Sequence, residues 1–236
     1  MTLKMSLPPE RLQAYVLDLV RLNFPDGYQV PYELTLLHEK ALARLELCFS
    51  HIHRKYYREE GEQGAVLFDH LNGDHFASYL YLFANTVWRE TGDSELPTRL
   101  FYLNKRMHGL DLFYSVAMPD IFMLVHPVGT VIGSAAYQDY LVVYQNVTIG
   151  ADEAGIYPVF GKGTVLYAKS AVIGACRLGN DVVLGANAFI LNAEIPANSV
   201  VVGQHPAPRI LSAAQSVASR LFRCTPARAD TAASTN

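Results

Sequence analysis

The stretch Phe160-Gly-Lys-Gly-Thr-Val-Leu166-Tyr-Ala-Lys-Ser-Ala-Val172-Ile-Gly-Ala-Cys-Arg-Leu178-Gly-Asn-Asp-Val-Val-Leu184-Gly-Ala-Asn-Ala-Phe-Ile190 repeats an aliphatic or aromatic residue every six positions. Six is neither the 3.6-residue period of a helix nor the two-residue period of a strand. The fourth residue after each is small or β-branched at Thr164, Ser170, Cys176, Val182 and Ala188, and only Glu194 departs. Gly follows the apolar residue at Gly161, Gly179 and Gly185. A short apolar strand, a tight turn and a small corner residue, repeated, describe a three-faced β-solenoid. Three hexads make a coil of about 18 residues, so roughly five coils fit between Asp111 and Gly203.

Working outward, Ile132-Gly133-Ser-Ala-Ala136, Val143 to Val147 and Ile149-Gly150 continue the repeat upstream. Ala151-Asp-Glu-Ala-Gly-Ile-Tyr157-Pro158 interrupts it, as a protruding loop would. Ile195-Pro196 shifts the register by one residue, and Val200-Val-Val202 closes the array. Before Gly109 the texture is helical. One helix follows Pro8-Pro9, with Leu7, Leu12, Val16, Leu17, Val20 and Leu22 roughly at helical spacing. A long one is expected from about Tyr32 to Tyr57, with Leu34, Leu37, Ala41, Leu45 and Cys48 on one face. A third runs from Asp74 to Thr91 after Asn72-Gly73, apolar nearly all round, as a helix buried between neighbours or between subunits would be. A fourth covers Leu96 to His108. Ala207 to Arg223 reads as a short helix, and Thr225 to Asn236 as a disordered tail. The division expected is 1–108 helical, 109–206 solenoid and 207–236 a C-terminal helix with a flexible tail.

The 236 residues are half apolar, with a net charge of −3. No clustered Lys/Arg stripe is present, which argues against a nucleic-acid partner. No apolar run reaches the length of a membrane span, and residues 1–9 lack the features of a secretory signal. Three separated cysteines, Cys48, Cys176 and Cys224, fit a reduced, cytoplasmic protein. Cys176, at a hexad corner, reads as a small buried residue.

Most of the eight histidines lie on helices, where surface or packing roles are the rule. His70 and His75 accompany Asp69 and Asp74 at a helix start, a cluster that could bind a ligand but that helix-end capping explains better. His126 differs, standing at the opening of the solenoid with Asp111 fifteen residues earlier, nearly one coil. A His beside a carboxylate is the pairing of a general base and its orienting partner. The same spacing also fits a turn-capping Asp and a structural His. A zinc hydrolyase would need three convergent His, and only His126 lies between Asp111 and Gly203. Gly161-Lys-Gly163 lacks the third Gly and the βαβ setting of a dinucleotide loop.

Leu110 to Gly203 resembles the catalytic domain of serine acetyltransferases, in the left-handed β-helix superfamily. The resemblance is carried by Leu110-Asp111-Leu112, Met123-Leu-Val-His126, Gly129-Thr-Val-Ile-Gly133, Gln145-Asn-Val-Thr-Ile-Gly150, Tyr157-Pro158 and Gly203-Gln-His-Pro-Ala207. It implies an α+β protein: an N-terminal α-helical domain followed by a left-handed parallel β-helix of hexapeptide repeats. It further implies an acetyl-CoA-dependent acyltransferase without a metal, assembled as a homotrimer or dimer of trimers. Under it, His126 is the general base and Asp111 its orienting partner. The backbone at Ala151, Ala168 and Ala186 corresponds to where the family lays the CoA arm.

Three departures fall at the acceptor side. The family's Asp before the catalytic His is Val125 here, and its Arg-His before the loop Pro is Ile156-Tyr157. An Arg–carboxylate clamp is not replaced by Ile. Ser234-Thr-Asn236 lacks the terminal Ile through which the family docks on the sulfhydrylase, so that complex is not expected. With Tyr137, Tyr140, Tyr144 and Tyr157 expected near the site, the acceptor reads first as a small molecule with a hydroxyl, a sugar or polysaccharide-building intermediate. The alternatives are serine, or a catalytically silent trimer that kept the scaffold.

Overall fold

A computed structural model describes residues 3–59 and 64–223. Four helices come first: α1 (Pro9–Asn23), α2 (Thr35–Ser50), α3 (Gly73–Thr91) and α4 (Glu95–His108). α1 starts with Pro9, whose fixed φ suits a first helical turn, and buries Leu12, Val16 and Val20 at four-residue spacing. α3 is capped by Asn72, whose side chain accepts the N–H groups of Asp74 and His75. It ends at Gly92 in the left-handed region, as α4 does at Gly109. Every residue of α3 from His75 to Val87 is buried. The helix lies between α2 and α4 and also packs on the solenoid, which accounts for its lack of a polar face.

Two expectations for this half are corrected. The long second helix stops at Ser50 because the chain beyond it pairs with the C-terminal segment. Ile52 bridges Phe222, His53 donates to the Leu221 carbonyl at 3.0 Å, and Arg223 donates to the His51 carbonyl at 2.7 Å. The half is also not wholly helical: β1 (Leu3–Met5) and β2 (Val66–Phe68) form a parallel pair. Of the expected loop at Gly61 to Gly64, residues 61–63 lie outside the described residues.

The rest is a parallel β-solenoid with three faces. The first face stacks β3 (Asp111–Leu112), β5 (Val131–Ile132), β7 (Thr148–Gly150), β10 (Ala171–Ile173) and β13 (Phe189–Leu191). The second stacks β8 (Val159–Phe160), β11 (Arg177–Leu178) and β14 (Glu194–Ile195). The third stacks β4 (Phe122–Val125), β6 (Leu141–Tyr144), β9 (Val165–Leu166), β12 (Val182–Leu184) and β15 (Ser199–Val202). Phe160, Leu166, Val172, Leu178, Leu184 and Ile190 all point inward, none more than 4% exposed. Thr164, Ser170, Cys176, Val182 and Ala188 are buried beside them, so each side of the triangle has two inward positions. That geometry is the physical content of the six-residue period.

The irregularities fall where the sequence breaks. Val165 pairs with Val183, a regular coil later, but Val142 pairs with Val165 across the longer coil that holds the 151–158 loop. Leu178 pairs with Ile195, one residue short of a full coil, at the Ile195-Pro196 shift. The expected C-terminal helix is corrected to β16 (Arg209–Ser212), antiparallel to β15, followed by a short helix, α5 (Val217–Leu221). β16 covers the last edge of the third face, satisfying backbone groups that an open solenoid end would leave unpaired. Cys224 and the Thr225–Asn236 tail lie outside the described residues.

The helical half is tied to the first coil through backbone groups. Tyr81 Oη donates to the Val116 carbonyl at 2.5 Å, Asn85 Nδ2 to Tyr114 at 2.7 Å, and Cys48 Sγ to Phe122 at 3.0 Å. No helix among the described residues is long and apolar enough to cross a membrane.

Candidate active site at a corner of the solenoid

The third face ends in a ladder of residues that share one position on successive coils. Val125 is in register with Tyr144. The pairing of Val143 with Leu166 and of Leu166 with Leu184 carries the ladder on to Tyr167 and Gly185. The rings of Tyr144 and Tyr167 lie 5.0 Å apart along it. One residue further on, the chain turns the corner at His126, Gln145, Ala168 and Ala186. The turn is bonded from coil to coil: Lys169 N–H reaches the Gln145 carbonyl and Asn187 N–H the Ala168 carbonyl, each at 3.0 Å. Parallel strands sit about 4.8 Å apart, so Ala168 and Ala186 lie roughly two and three steps below His126.

His126 itself is held in the left-handed region, at φ 49°, an uncommon conformation for a residue with a Cβ. Its side chain is 76% exposed, so the imidazole projects from the corner and is open to a ligand. Its backbone N–H donates to Asp74 Oδ1 at 2.8 Å, and its Nδ1 lies 3.8 Å from the same oxygen. Asp74 sits in the first turn of α3. Burial pushes its carboxyl pKa up, while the His126 N–H and the imidazole pull against that shift.

Asp111 is placed differently from the expectation. It opens β3, paired with Val131 beyond the His126 turn, and its carboxylate accepts an N–H from Lys105 Nζ at 2.7 Å. Lys105 lies in the last turn of α4, only six residues away. Among the described hydrogen bonds and ion pairs, none joins Asp111 to His126.

The other expected residues divide between two corners. Val125 is buried at the end of β4, beside His126, where its side chain helps close the corner. Ala168 is half-buried and Ala186 exposed, leaving the wall beneath His126 low and open. Ala151, Ile156 and Tyr157 lie at the far end of the first face, in the loop between β7 and β8. Asp152 organises that loop, its Oδ1 accepting the N–H groups of Ala154 and Ile156 at 3.0 Å. Ile156 and Tyr157 are both well exposed, and the Tyr157 ring lies against Gly133, where a Cβ would stand 2.9 Å from it. A groove of about 570 Å³ runs beside the loop, lined by Ala151, Asp152 and Glu153 and by Ile173, Phe189 and Leu191 of the first face.

The four tyrosines do not converge. Tyr137 donates to the Gly133 carbonyl at 2.7 Å and stacks on Phe160, so it serves packing. Tyr140 packs edge-on against Phe222, at the corner before β6. Tyr144 lies on the third face and accepts an N–H from Arg54 at 2.9 Å. Tyr144 and Tyr157 stand beside expected acceptor residues, Val125 and Ile156, but at opposite ends of the first face. Two side chains at the His126 corner escape sequence reasoning: Asp74, 52 positions from His126, and Gln145, whose Oε1 is buried without a hydrogen-bond partner. Gln145 was legible only as part of a motif, and no local pattern marks Asp74. Among the described residues no group of three or more His, Cys, Asp or Glu is placed to hold a metal.

The chain is similar to serine acetyltransferases. It is 28% identical over 112 residues to the enzyme of Synechococcus elongatus, covering 46% of each chain. It is 35% identical over 108 residues to that of Helicobacter pylori, covering 44% of this chain and 63% of the relative. The chain thus spans about half the length of the first curated relatives it matches. Among solved structures, a serine acetyltransferase from Brucella abortus superposes with a TM-score of 0.60 at 17% identity, covering 76% of this chain and 75% of that one. One from Vibrio cholerae gives 0.59 at 23% identity, over 86% and 72%. A coenzyme A complex of the Brucella abortus protein gives 0.59 at 15% identity, over 87% and 76%. No protein-family model matches. The fold is therefore a helical region followed by a left-handed parallel β-helix, and the chain is serine acetyltransferase-like.

Proposed function

We propose that this serine acetyltransferase-like chain transfers an acetyl group from acetyl-CoA to the hydroxyl of a small acceptor, with serine or a closely related amino alcohol as first candidate. The observation that carries the reading is the corner ladder. An exposed imidazole tops a column whose lower steps, Ala168 and Ala186, are small and open. An extended pantetheine arm fits such a wall, with its thioester end at His126. The coenzyme A complex of a protein with the same fold supports acetyl-CoA as the donor.

His126 removes the acceptor's hydroxyl proton as that oxygen attacks the thioester carbonyl. The C–O bond forms, the C–S bond breaks, and His126 returns the proton to the departing sulfur. A backbone N–H of a neighbouring coil offers charge stabilisation to the carbonyl oxygen. The reaction needs no covalent acyl-enzyme and no metal. Use of acetyl-CoA fits a cytoplasmic setting.

The acceptor reading moves from a sugar towards serine. Of the tyrosines that motivated a sugar, Tyr137 and Tyr140 serve packing, and Tyr144 and Tyr157 lie at different corners. The reported relatives are serine acetyltransferases. Val125 and Ile156 still stand where that family carries charge, so serine is held less firmly and its KM is high. Ile156 and Tyr157 share a face of the solenoid with His126 only at its opposite end. A trimer, in which the loop of one copy meets the His126 corner of the next, completes the site.

The test is thiol release from acetyl-CoA with serine, other amino alcohols, sugars and no acceptor. Serine-dependent release, lowered a hundredfold or so in His126→Ala, is expected on the general-base scale. Near-normal turnover by that variant removes His126 from the chemistry. No acceptor-dependent thiol, together with no binding of CoA, returns the chain to a structural trimer.

A further inference from the structure

We infer that the cavity where the C-terminal segment returns to the helical half is a phosphate site, taking inorganic phosphate or a small phosphomonoester. The inference is independent of the reading of His126 as the base. The cavity holds about 250 Å³ and is lined by Arg54, Lys55, Arg58 and Arg223, together with His53 and Glu59. Among these lining residues four positive charges meet one acid, and Glu59 is already paired with Lys4. The whole chain carries a net charge of −3, so this concentration of cations is local and runs against its surroundings.

The fold holds these cations in place. Arg58 donates through Nη1 to the Gly64 carbonyl at 2.8 Å and through Nη2 to the Ser50 carbonyl at 3.2 Å. Both partners are neutral, so they fix the guanidinium without cancelling its charge. Its Nε is buried with no hydrogen-bond partner. Arg54 is moored to Tyr144 Oη at 2.9 Å, and Lys55 Nζ lies over the Tyr56 ring, 4.7 Å from its centroid. Arg223 enters by backbone pairing, its N–H on the His51 carbonyl at 2.7 Å. Burial lowers the Arg58 pKa, and the neighbouring Arg223 charge lowers it further, as two guanidiniums brought together should. Like charges ordered side by side cost stability unless an anion joins them.

Size and charge decide the ligand class. At about 250 Å³ the cavity falls below the roughly 300–1,000 Å³ of pockets that enclose drug-sized molecules, so it suits one oxyanion and not a whole nucleotide. Arginine forks match carboxylate and phosphate oxygens alike, but four cations favour a dianion over a single carboxylate. A phosphate here bridges the 52–58 segment and Arg223, and Arg54 carries the link on to Tyr144 of β6. The anion thus ties the C-terminal segment, the helical half and the solenoid together, and its binding reads out as stability.

The test titrates the full chain with inorganic phosphate by calorimetry and thermal melts, against sodium chloride of equal ionic strength. Phosphate at about ten times its dissociation constant should raise the thermal midpoint by roughly 2–5 °C beyond the chloride control. Arg58→Gln should weaken phosphate binding about tenfold or more, and Arg54→Gln and Lys55→Gln, at exposed positions, about threefold or more each. Arg177→Gln, exposed on the second face, should leave it unchanged. Glycerol phosphate separates the two sources: binding tighter than that of phosphate, and lost in Arg58→Gln, assigns the site to an ester, and weaker binding assigns it to the free ion. Should Arg58→Gln fail to fold, the Arg54 and Lys55 variants carry the test. No saturable binding beyond chloride, or binding unchanged in the Arg54, Lys55 and Arg58 variants, overturns the proposal. Glu60 and Glu62 lie outside the described residues, so a chain carrying Glu60→Gln and Glu62→Gln is titrated as well. Phosphate binding that emerges only in that chain gives the cations to those acids and overturns the proposal too.

Discussion

Asp111 Oδ2 stands 2.7 Å from Lys105 Nζ and joins the last turn of α4 to the first strand of the solenoid. Both side chains are more than a third exposed, so water screens the pair and its contribution to stability is under about 1 kcal/mol. Among the described contacts this bond, and none to His126, engages the Asp111 carboxylate. Lys105→Ala should therefore lower the thermal midpoint only slightly. If Asp111 is a spectator, acceptor-dependent thiol release by Lys105→Ala and by Asp111→Asn stays within roughly tenfold of wild type. A loss in Asp111→Asn as deep as in His126→Ala would show that the ion pair opens during the reaction.

The alanines beneath His126 make a separate prediction. Ala186 is exposed, and Ala168 is half-buried on the coil before it. A Phe at Ala186 meets solvent rather than core, so folding survives while the open wall is filled. Ala186→Phe should raise KM for acetyl-CoA about tenfold or more, a loss of about 1.4 kcal/mol in binding. Ala197→Phe, at an exposed position on another corner, should leave KM unchanged. Equal effects from the two would move the cofactor off the His126 corner.

How much of this was legible depends on the range of the interaction. The hexad from Phe160 to Ile190 is a local, repeated constraint, and each inward residue it names is buried. The loop at Ala151 to Pro158 and the shift at Ile195-Pro196 are local as well, and both appear in the strand register. The end of α2 at Ser50 is not, because it is decided by Ile52 meeting Phe222 from the far end of the chain. The Asp74–His126 contact has the same character. Position 74 carries an N-terminal helix signal and nothing that points to the solenoid. Periodicity finds cores and walls, but a side chain that crosses between two halves leaves no periodic trace.

Acid should weaken the helical half through two buried imidazoles. His38 is 2% exposed and His75 1%, and burial lowers each from 6.5 to about 4. His38 packs edge-on to Tyr79 and Phe83, with no hydrogen-bond partner for Nε2. The folded state favours the neutral ring, and the unfolded chain binds the proton first. Stability is thus fully present above pH 6.5 and is lost progressively as pH falls towards 4. At about 1.4 kcal/mol per pH unit, each ring costs on the order of 3 kcal/mol by then. Urea melts at pH 7, 5.5 and 4.5 should show the decline. His38→Leu, which places an apolar side chain among Tyr79 and Phe83, should flatten it by about half. A slope unchanged in that variant would assign the acid sensitivity elsewhere.

The glycines after the inward residues yield the sharpest stability prediction. At Gly161 a Cβ would stand 2.5 Å from the backbone carbon and oxygen of Gly179 and 2.7 Å from the Asn180 nitrogen. These are backbone atoms of the next coil, held by the Gly161 N–H bond to Leu178 at 2.8 Å, and they have no rotamer by which to yield. The φ of Gly161 is not in the left-handed region, so close approach of coils and not turn conformation explains the residue. Gly161→Ala must push two coils apart and should cost about 1–3 kcal/mol. Gly150 is the matched control: a Cβ there meets only the Ile173 Cδ1 atom, at 3.4 Å. Gly150→Ala should change the urea midpoint by a small fraction of the Gly161→Ala shift, both measured at one chain concentration so that assembly does not enter the comparison. If the two variants unfold alike, coil spacing is more compliant than the stacked backbone implies, and Gly161 is not a packing requirement.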